Sequence, residues 1–265
     1  MSVRPINAPP LEMANYCEQD WRRFVYTLGL VEPLTGNCLE LGSNPYFTST
    51  LLKFFTELKL TMANYFSPEH GPKGVQRIIY QELTTGKPET QDLEYYHFSI
   101  EAEPFPFPSR SFDVVLFCEI LEHLQLDPAA ALREIHRVLK DGGTLVLTTP
   151  NVSRLENVGR MIAGANMYDP YSGYGTYGRH NREYNKHELN LLLQYCGFEV
   201  DTLFTADVHV NLTEEFTRIE PLVPLLKFRE LDLGQYVFAR CRATRPPREK
   251  RPSWLYRSYP ADQME

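Results

Sequence analysis

Apolar positions along the chain fall into short runs separated by turn residues, and the runs alternate between two periods. Residues 37–41 (NCLEL) make a compact apolar run that predicts a buried strand, followed by the turn GSNPY. Phe47, Leu51, Phe54, Phe55 and Leu58 then recur at intervals of 4, 7, 8 and 11 from the first, one face of a helix. The alternation continues with a strand over Leu58–Asn64, a helix near Lys73–Leu83, and strands over Glu94–Ile100 and Phe112–Cys118. Pro128 opens a helix running to Leu139, DGG at Asp141–Gly143 makes a turn, and Thr144–Thr149 reads as the next strand. Alternation of this kind needs crossover connections, and strands that read as continuous apolar runs are covered on both faces. The fold class expected is α/β, a mostly parallel sheet between helices.

After Pro150 the rhythm breaks. Residues 151–185 are rich in Gly, Tyr, Asn and Arg, including YDPYSGYGTYGRHNREY, and no simple element is predicted across them. A connection this long is read as a lid or acceptor-binding insertion. A helix over Lys186–Tyr195 follows, with Leu189, Leu192 and Leu193 on one face, and Gly197 ends it. Strands over Phe198–Phe204 and Gln235–Arg242 bring the predicted total to seven. With no internal repeat, this reads as one domain over residues 36–242, a cap over 1–35 centred on Met13–Leu28, and an irregular tail over 243–265.

Composition narrows the class. The 265 residues are 43% hydrophobic and carry 34 acidic against 27 basic side chains, a net charge of -7, which suits a globular protein and argues against a dedicated nucleic-acid binder. The basic cluster Arg245–Arg251 is expected to be a solvated end. No apolar run approaches the ~20 residues needed to span a bilayer, and the first ten residues lack a signal-peptide core, so the expected compartment is the cytoplasm. Cys17, Cys38, Cys118, Cys196 and Cys241 include no CxxC pair, and His70, His97, His136, His187 and His209 show no metal-ligand spacing; no metal site is predicted.

The ends of the predicted strands carry the chemistry. CLELGSNPY resembles the first motif of class I S-adenosylmethionine-dependent methyltransferases, with Glu40 and Gly42 at its acid and first glycine and Asn44 and Tyr46 at its later glycines. EAEPFPFPSRSFDVVLF, CEILEHL and REIHRVLKDGGTLVLTTPN resemble later segments of the same family, extending the resemblance over about residues 36–204. It implies a Rossmann-like fold whose last strand is antiparallel, and S-adenosylmethionine as cofactor. Gly42 and Ser43 would meet its methionine part and Glu40 its ammonium; Glu101 and Ala102 would meet the adenine, and Cys118 and Glu119 would lie near the methionine portion. Asn64 aligns with the family acid that takes the ribose hydroxyls, and an amide offers no bidentate carboxylate there. Tyr65 would stack beside the adenine or stand as a rim aromatic. Phe105 and Phe107 read as core, and Asp113 as a turn residue.

GRHNREY, ahead of the helix at Lys186, resembles a His-x-Arg-Glu-Tyr element of many bacterial members, which implies an acceptor side lined by His180, Arg182, Glu183 and Tyr184. His180 and His123, backed by Glu183, are the candidate catalytic groups; Arg182 and Tyr184 are the candidate substrate-binding groups. Alternatively His123 holds the local backbone, and Arg182 and Glu183 anchor the lid. The expected activity is methyl transfer to a small molecule or glycan precursor, with a hydroxyl as acceptor. Two other readings stay open: a non-catalytic S-adenosylmethionine-binding or structural module, and a nicotinamide-dependent sugar-modifying enzyme. The absence of GxGxxG after the first predicted strand weighs against the latter.

Overall fold

Cys38, Leu39, Glu40 and Leu41 are all buried, as a strand covered on both faces requires, and the sheet is built outward from them. The computed structural model describes residues 3–82, 84–102, 104–167, 171–173, 175–209 and 223–265. Among these, the elements in chain order are β1 (Val3–Pro5), α1 (Pro10–Val31), β2 (Gly36–Leu41), α2 (Phe47–Phe55), β3 (Leu58–Asn64), β4 (Lys73–Gln81) and β5 (Pro88–His97). They continue with β6 (Phe112–Cys118), α3 (Pro128–Val138), β7 (Leu139–Pro150), α4 (Leu155–Ile162), α5 (Lys186–Tyr195), β8 (Phe198–Ala206) and β9 (Tyr236–Ala243). Leu83, Glu103, Tyr168, Asp169, Pro170 and Tyr174, which figure in the sequence reading, lie outside the described residues.

One sheet holds nine strands, in the order β1-β4-β5-β3-β2-β6-β7-β9-β8. The core, β5-β3-β2-β6-β7, is parallel, whereas β4 pairs antiparallel with β1 and β5, and β9 with β7 and β8. The sheet is therefore mixed, with an antiparallel last strand, and the count of seven is corrected to nine. The predicted helix near Lys73–Leu83 is β4: Val75, Ile78 and Ile79 sit at helix-compatible intervals, yet the burial alternates as in a half-exposed strand. Pairing along nine residues of β5 decides the matter, a tertiary contact that periodicity does not report. β1 has only three residues and no pattern of its own.

Helices cover both faces. Leu132 and Ile135 of α3 and Leu189, Leu192 and Leu193 of α5 pack on Leu39, Leu41, Val115, Phe117, Leu145 and Leu147. On the other face, Leu30 and Val31 of α1 and Leu52 of α2 pack on Cys38, Val114, Leu116 and Val146. Fully burying each of the α5 leucines contributes about 1.5–3 kcal/mol. The face expected for α2 is corrected in part: Phe47 is buried, but Phe54 and Phe55 are exposed, Leu52 takes the core position, and Leu58 opens β3. Asp127 and Asn185 cap α3 and α5 by accepting from the Ala130 and Glu188 amides. Gly197 ends α5 at φ +87°, where a Cβ would stand 2.2 Å from the Arg245 carbonyl oxygen.

The stretch read as featureless after Pro150 contains α4 and a 3-10 turn at Gly175–Gly178. Residues beyond 243 fold back: Tyr256 is buried, donates to Asp127 and accepts from the Ala129 amide, and Arg251 pairs with Asp127. No helix among the described residues is long and apolar enough to cross a membrane.

Candidate functional site

In an open α/β sheet, ligands bind beyond the carboxyl ends of the strands where strand order reverses. Here the chain passes from β2 through β3, β4 and β5, all on one side, and then crosses to β6 on the other side, so the reversal lies between β2 and β6. Glu40, Asn64, His97, Cys118 and Thr148 all stand at or near carboxyl ends of strands around it.

The loop after β2 is shaped by backbone chemistry. Gly42, at φ +65°, donates to the Ala63 carbonyl, and a Cβ there would stand 2.8 Å from Ile120 Cδ1. Tyr46 is also left-handed, at φ 72°, although it is not glycine. Its ring is fully buried beside Phe24 and Phe47, and its hydroxyl donates to Gln76 and accepts from Asn64, interactions that offset the strained backbone. The Asn64 carboxamide is used in the same way. Its Oδ1 accepts from the Asn44 amide at 2.9 Å and the Ser43 hydroxyl at 3.2 Å, while its Nδ2 donates to Tyr46.

Two adjoining cavities meet across this loop, sharing Leu41, Gly42, Asn44 and Glu119. The larger, about 260 Å³, is lined by Asn64, Tyr65, Phe98, Glu101 and His123 among others; the smaller, about 120 Å³, by Arg23, Glu40, Ser43, Cys118 and Thr148. Nine predicted residues thus border one cleft: Glu40, Gly42, Ser43, Asn64, Tyr65, Glu101, Cys118, Glu119 and His123. Ala102 is exposed and lines neither. Tyr65 stacks on His97 with ring centroids 5.2 Å apart, and Glu101 Oε1 accepts from the Gln125 and Leu126 amides.

Burial sets the electrostatics. The Glu40 carboxyl is pushed up to about 7 by burial, with a hydrogen bond from Ser49 at 2.6 Å acting against the shift. Burial likewise raises the Cys118 thiol to about 12, which leaves it an inert wall. Glu119 is raised by burial and opposed by Arg23, whose Nη1 lies 3.2 Å from Glu119 Oε2; the Thr148 hydroxyl donates to the other oxygen. Burial works against the Arg23 charge, but Glu119, Tyr16, Tyr236 and Asp20 outweigh it. Arg23 has no mark in the sequence beyond its place in α1; its partner Glu119 belongs to a distant segment, and only the fold joins them.

The residues expected on the acceptor side assemble from two stretches. The backbone amides of Asn181 and Arg182 both donate to the Glu122 carbonyl, at 2.8 and 3.1 Å, and this docks 180–182 onto the turn at Leu121–His123. The rings of His123 and His180 come within 5.1 Å. His123 Nδ1 lies 2.9 Å from the Arg179 carbonyl and His180 Nδ1 2.9 Å from Glu183 Oε1. A carbonyl only accepts, so His123 carries its proton on Nδ1. Burial favours a neutral Glu183, but hydrogen bonds from His180 and Arg154 more than offset this and lower its pKa, so its carboxylate also accepts.

Glu122, the second acid of CEILEHL, is wholly buried, and burial together with the Glu119 charge raises its pKa. Ligand atoms of Glu122, His123 and His180 lie within 4.8 Å of one another, a cluster that sequence spacing did not disclose. Arg182 pairs with Glu188 at the rim, and Tyr184 is buried in the core beneath it, with Arg182 over its ring.

A family model described as a methyltransferase domain matches residues 13–203. A probable S-adenosylmethionine-dependent methyltransferase of Mycolicibacterium smegmatis is 37% identical over 99 residues, covering 37% of this chain and 33% of that protein. One of Mycobacterium tuberculosis is 36% identical over 93 residues, 35% of this chain and 29% of its own length. The matched stretches thus span about a third of these curated relatives. Among solved structures, an S-adenosylmethionine-dependent methyltransferase from Thermotoga maritima superposes with a TM-score of 0.54 at 18% identity, over 88% of this chain and 95% of that one. A Haloferax volcanii methyltransferase complex with the activator Trm112 gives 0.52 at 17% identity, over 87% and 93%. At these identities the structural likeness speaks for the fold alone.

Proposed function

The chain belongs to the S-adenosylmethionine-dependent methyltransferase family, and from that premise we propose that it transfers a methyl group to a hydroxyl of a small molecule or glycan precursor. The observation that carries this reading is the cleft itself, in which Glu40, Gly42, Glu101 and Glu119 border two joined cavities at the point where strand order reverses.

The residues present fit the cofactor at both ends. Glu40, buried and able to ionise near neutral pH, is suited to accept hydrogen bonds from an ammonium, and Arg23 beside it offers a cation toward a carboxylate. Glu101 and Tyr65 line the cavity that would take the adenosine. Asn64 is spent on the loop, so the ribose would meet Asn44 and Tyr65 rather than a bidentate carboxylate. When bound, S-adenosylmethionine supplies a methyl carbon that is already strongly electrophilic. The chain then has to align the acceptor oxygen behind that carbon and handle its proton, and alignment alone can be worth ~7–11 kcal/mol.

On this reading the stretch around residues 179–184, docked on the Leu121–His123 turn, stands on the acceptor side, with Arg182 at the rim and Tyr184 buried beneath it as support rather than as a contact. His180, oriented by Glu183, and His123, oriented by the Arg179 carbonyl, present Nε2 toward the acceptor hydroxyl. The non-catalytic reading draws on Asn64 and Tyr46, which stand where the family has an acid and a glycine.

Incubation with methyl-labelled S-adenosylmethionine and a panel of nucleotide sugars, glycans and phenols tests the proposal. Transfer to a hydroxyl is expected, with His180→Ala lowering kcat by about 10²–10⁴-fold and leaving affinity for S-adenosylhomocysteine unchanged. Tight binding of the cofactor with no transfer to any acceptor class would favour the non-catalytic module instead.

A further inference from the structure

The buried carboxyl of Glu122 lines neither cavity of the cleft. Its Oε2 accepts from the Thr149 hydroxyl at 2.9 Å, but Oε1 is buried without a hydrogen-bond partner, on a side chain only 1% exposed. A buried polar oxygen left this way is destabilising, more so when charged, so its retention calls for a partner. Oε1 points toward imidazole nitrogen, with His123 Nε2 3.8 Å away.

From this we infer that Glu122, His123 and His180 form a binding site for a divalent first-row transition ion, which in turn holds the acceptor hydroxyl. The inference rests on the methyltransferase reading for what the ion does, but not for whether it binds.

Three independent features of the geometry support the site. One ligand atom from each residue lies within 4.8 Å of the other two. In a tetrahedral site with bonds of about 2 Å the ligand atoms stand roughly 3.3 Å apart, so closure needs side-chain movements of about 1 Å. Both imidazoles also have the outer partner that metal-bound histidine normally has: a backbone carbonyl on Nδ1 of His123 and a carboxylate on Nδ1 of His180. These partners set the Nδ1–H tautomer, so Nε2 is the nitrogen each ring offers to a cation. Lastly, the backbone is already committed, because the Asn181 and Arg182 amides bind the Glu122 carbonyl and hold the two stretches together.

Two imidazoles and one carboxylate suit zinc, manganese, iron or cobalt better than the all-oxygen shells of calcium. Three protein ligands leave coordination positions open, the arrangement of a site that works on a substrate rather than one that only braces the fold. His123 borders the larger cavity together with Glu119, so the open positions adjoin the cofactor cleft. An acceptor hydroxyl bound there would lose its proton to solvent more readily. Its oxygen would then attack the methyl carbon as the carbon–sulfur bond breaks, with the electron pair of that bond staying on sulfur. His180 would thus act on the acceptor through the ion.

The test uses the full chain after treatment with a chelator. Titration with Co²⁺ and Zn²⁺, followed by calorimetry and by the visible cobalt spectrum, is expected to give one equivalent bound with nitrogen–oxygen ligation. Glu122→Gln and His180→Ala should each weaken the metal about tenfold or more, and Glu183→Ala, a change in an outer partner, by about 10–100-fold. S-adenosylhomocysteine affinity, measured on the same samples, reports both on folding and on the cofactor reading. Retained cofactor binding with no stoichiometric metal, or with metal binding indifferent to these substitutions, overturns the site and returns His180 to acting as a direct base. Loss of cofactor binding by the wild-type chain would count against the methyltransferase reading, whatever the metal result.

Discussion

The two sides of Glu119 deal with buried charge differently. Toward the cofactor loop, Glu119 has the Arg23 guanidinium and the Thr148 hydroxyl, and Glu40 is pushed toward keeping its proton. Toward the acceptor stretch, Glu122 has a hydroxyl on one oxygen and, near the other, an imidazole nitrogen 3.8 Å away. A buried carboxyl can be tolerated through a cation, a proton or a ligand yet to arrive. The first two occur on the cofactor side, and the incomplete arrangement on the acceptor side is where an incoming group has most to gain.

Making the first side resemble the second should have the largest effect. Arg23→Met leaves Glu119 buried without its cation and is expected to cost about 3–5 kcal/mol by denaturant unfolding at neutral pH. Adding Glu119→Gln should restore most of that loss; failure to do so would mean that Arg23 acts through its aromatic contacts with Tyr16, Phe24 and Tyr236.

Glu40 gives a pH signature. An unfolded glutamate releases its proton near 4.5 and Glu40 only near 7, so the folded state holds a proton that the unfolded state has lost across that window. The contribution of Glu40 to stability therefore falls as pH rises from about 4.5 to 7, by roughly 3 kcal/mol in all. Glu40→Gln should flatten this slope in melts collected across the window; an unchanged slope would place the titration elsewhere.

Tyr46→Phe removes the hydroxyl that joins Gln76 to Asn64 and should cost about 1–3 kcal/mol, read as a shift in the unfolding midpoint. Arg182→Ala breaks an ion pair whose arginine side is half exposed, so its stability change should stay below ~1 kcal/mol, with any larger effect appearing in the acceptor KM.

The contrast between the two sides also explains how much could be read from the sequence. β6 and α5 stand where the apolar runs predict them, because continuous apolar strands and a leucine face are local signals. β4 was hidden because its apolar residues fit a helix as well as a strand, and pairing with β5 settles the choice. Glu40 and Gly42 were legible because the loop chemistry lies within one turn of chain. The union of Arg23 with Glu119, and of Glu122 with His180, joins residues far apart in sequence, and no periodicity encodes such pairs. The role of Asn64 as a brace for its loop, through Ser43, Asn44 and Tyr46, depends on the depth at which Tyr46 is buried beside it.

Methyl transfer by this chain requires that S-adenosylmethionine bind in the cleft around Gly42. Calorimetric titration of the wild-type chain and Glu40→Ala with S-adenosylhomocysteine, with NAD as control, tests it most directly. Micromolar affinity is expected for the wild type, with a loss of about tenfold or more in Glu40→Ala, as for a charged hydrogen bond worth about 1.5–3 kcal/mol, and no response to NAD. Absence of binding by the wild type, or equal affinity in the variant, would contradict it.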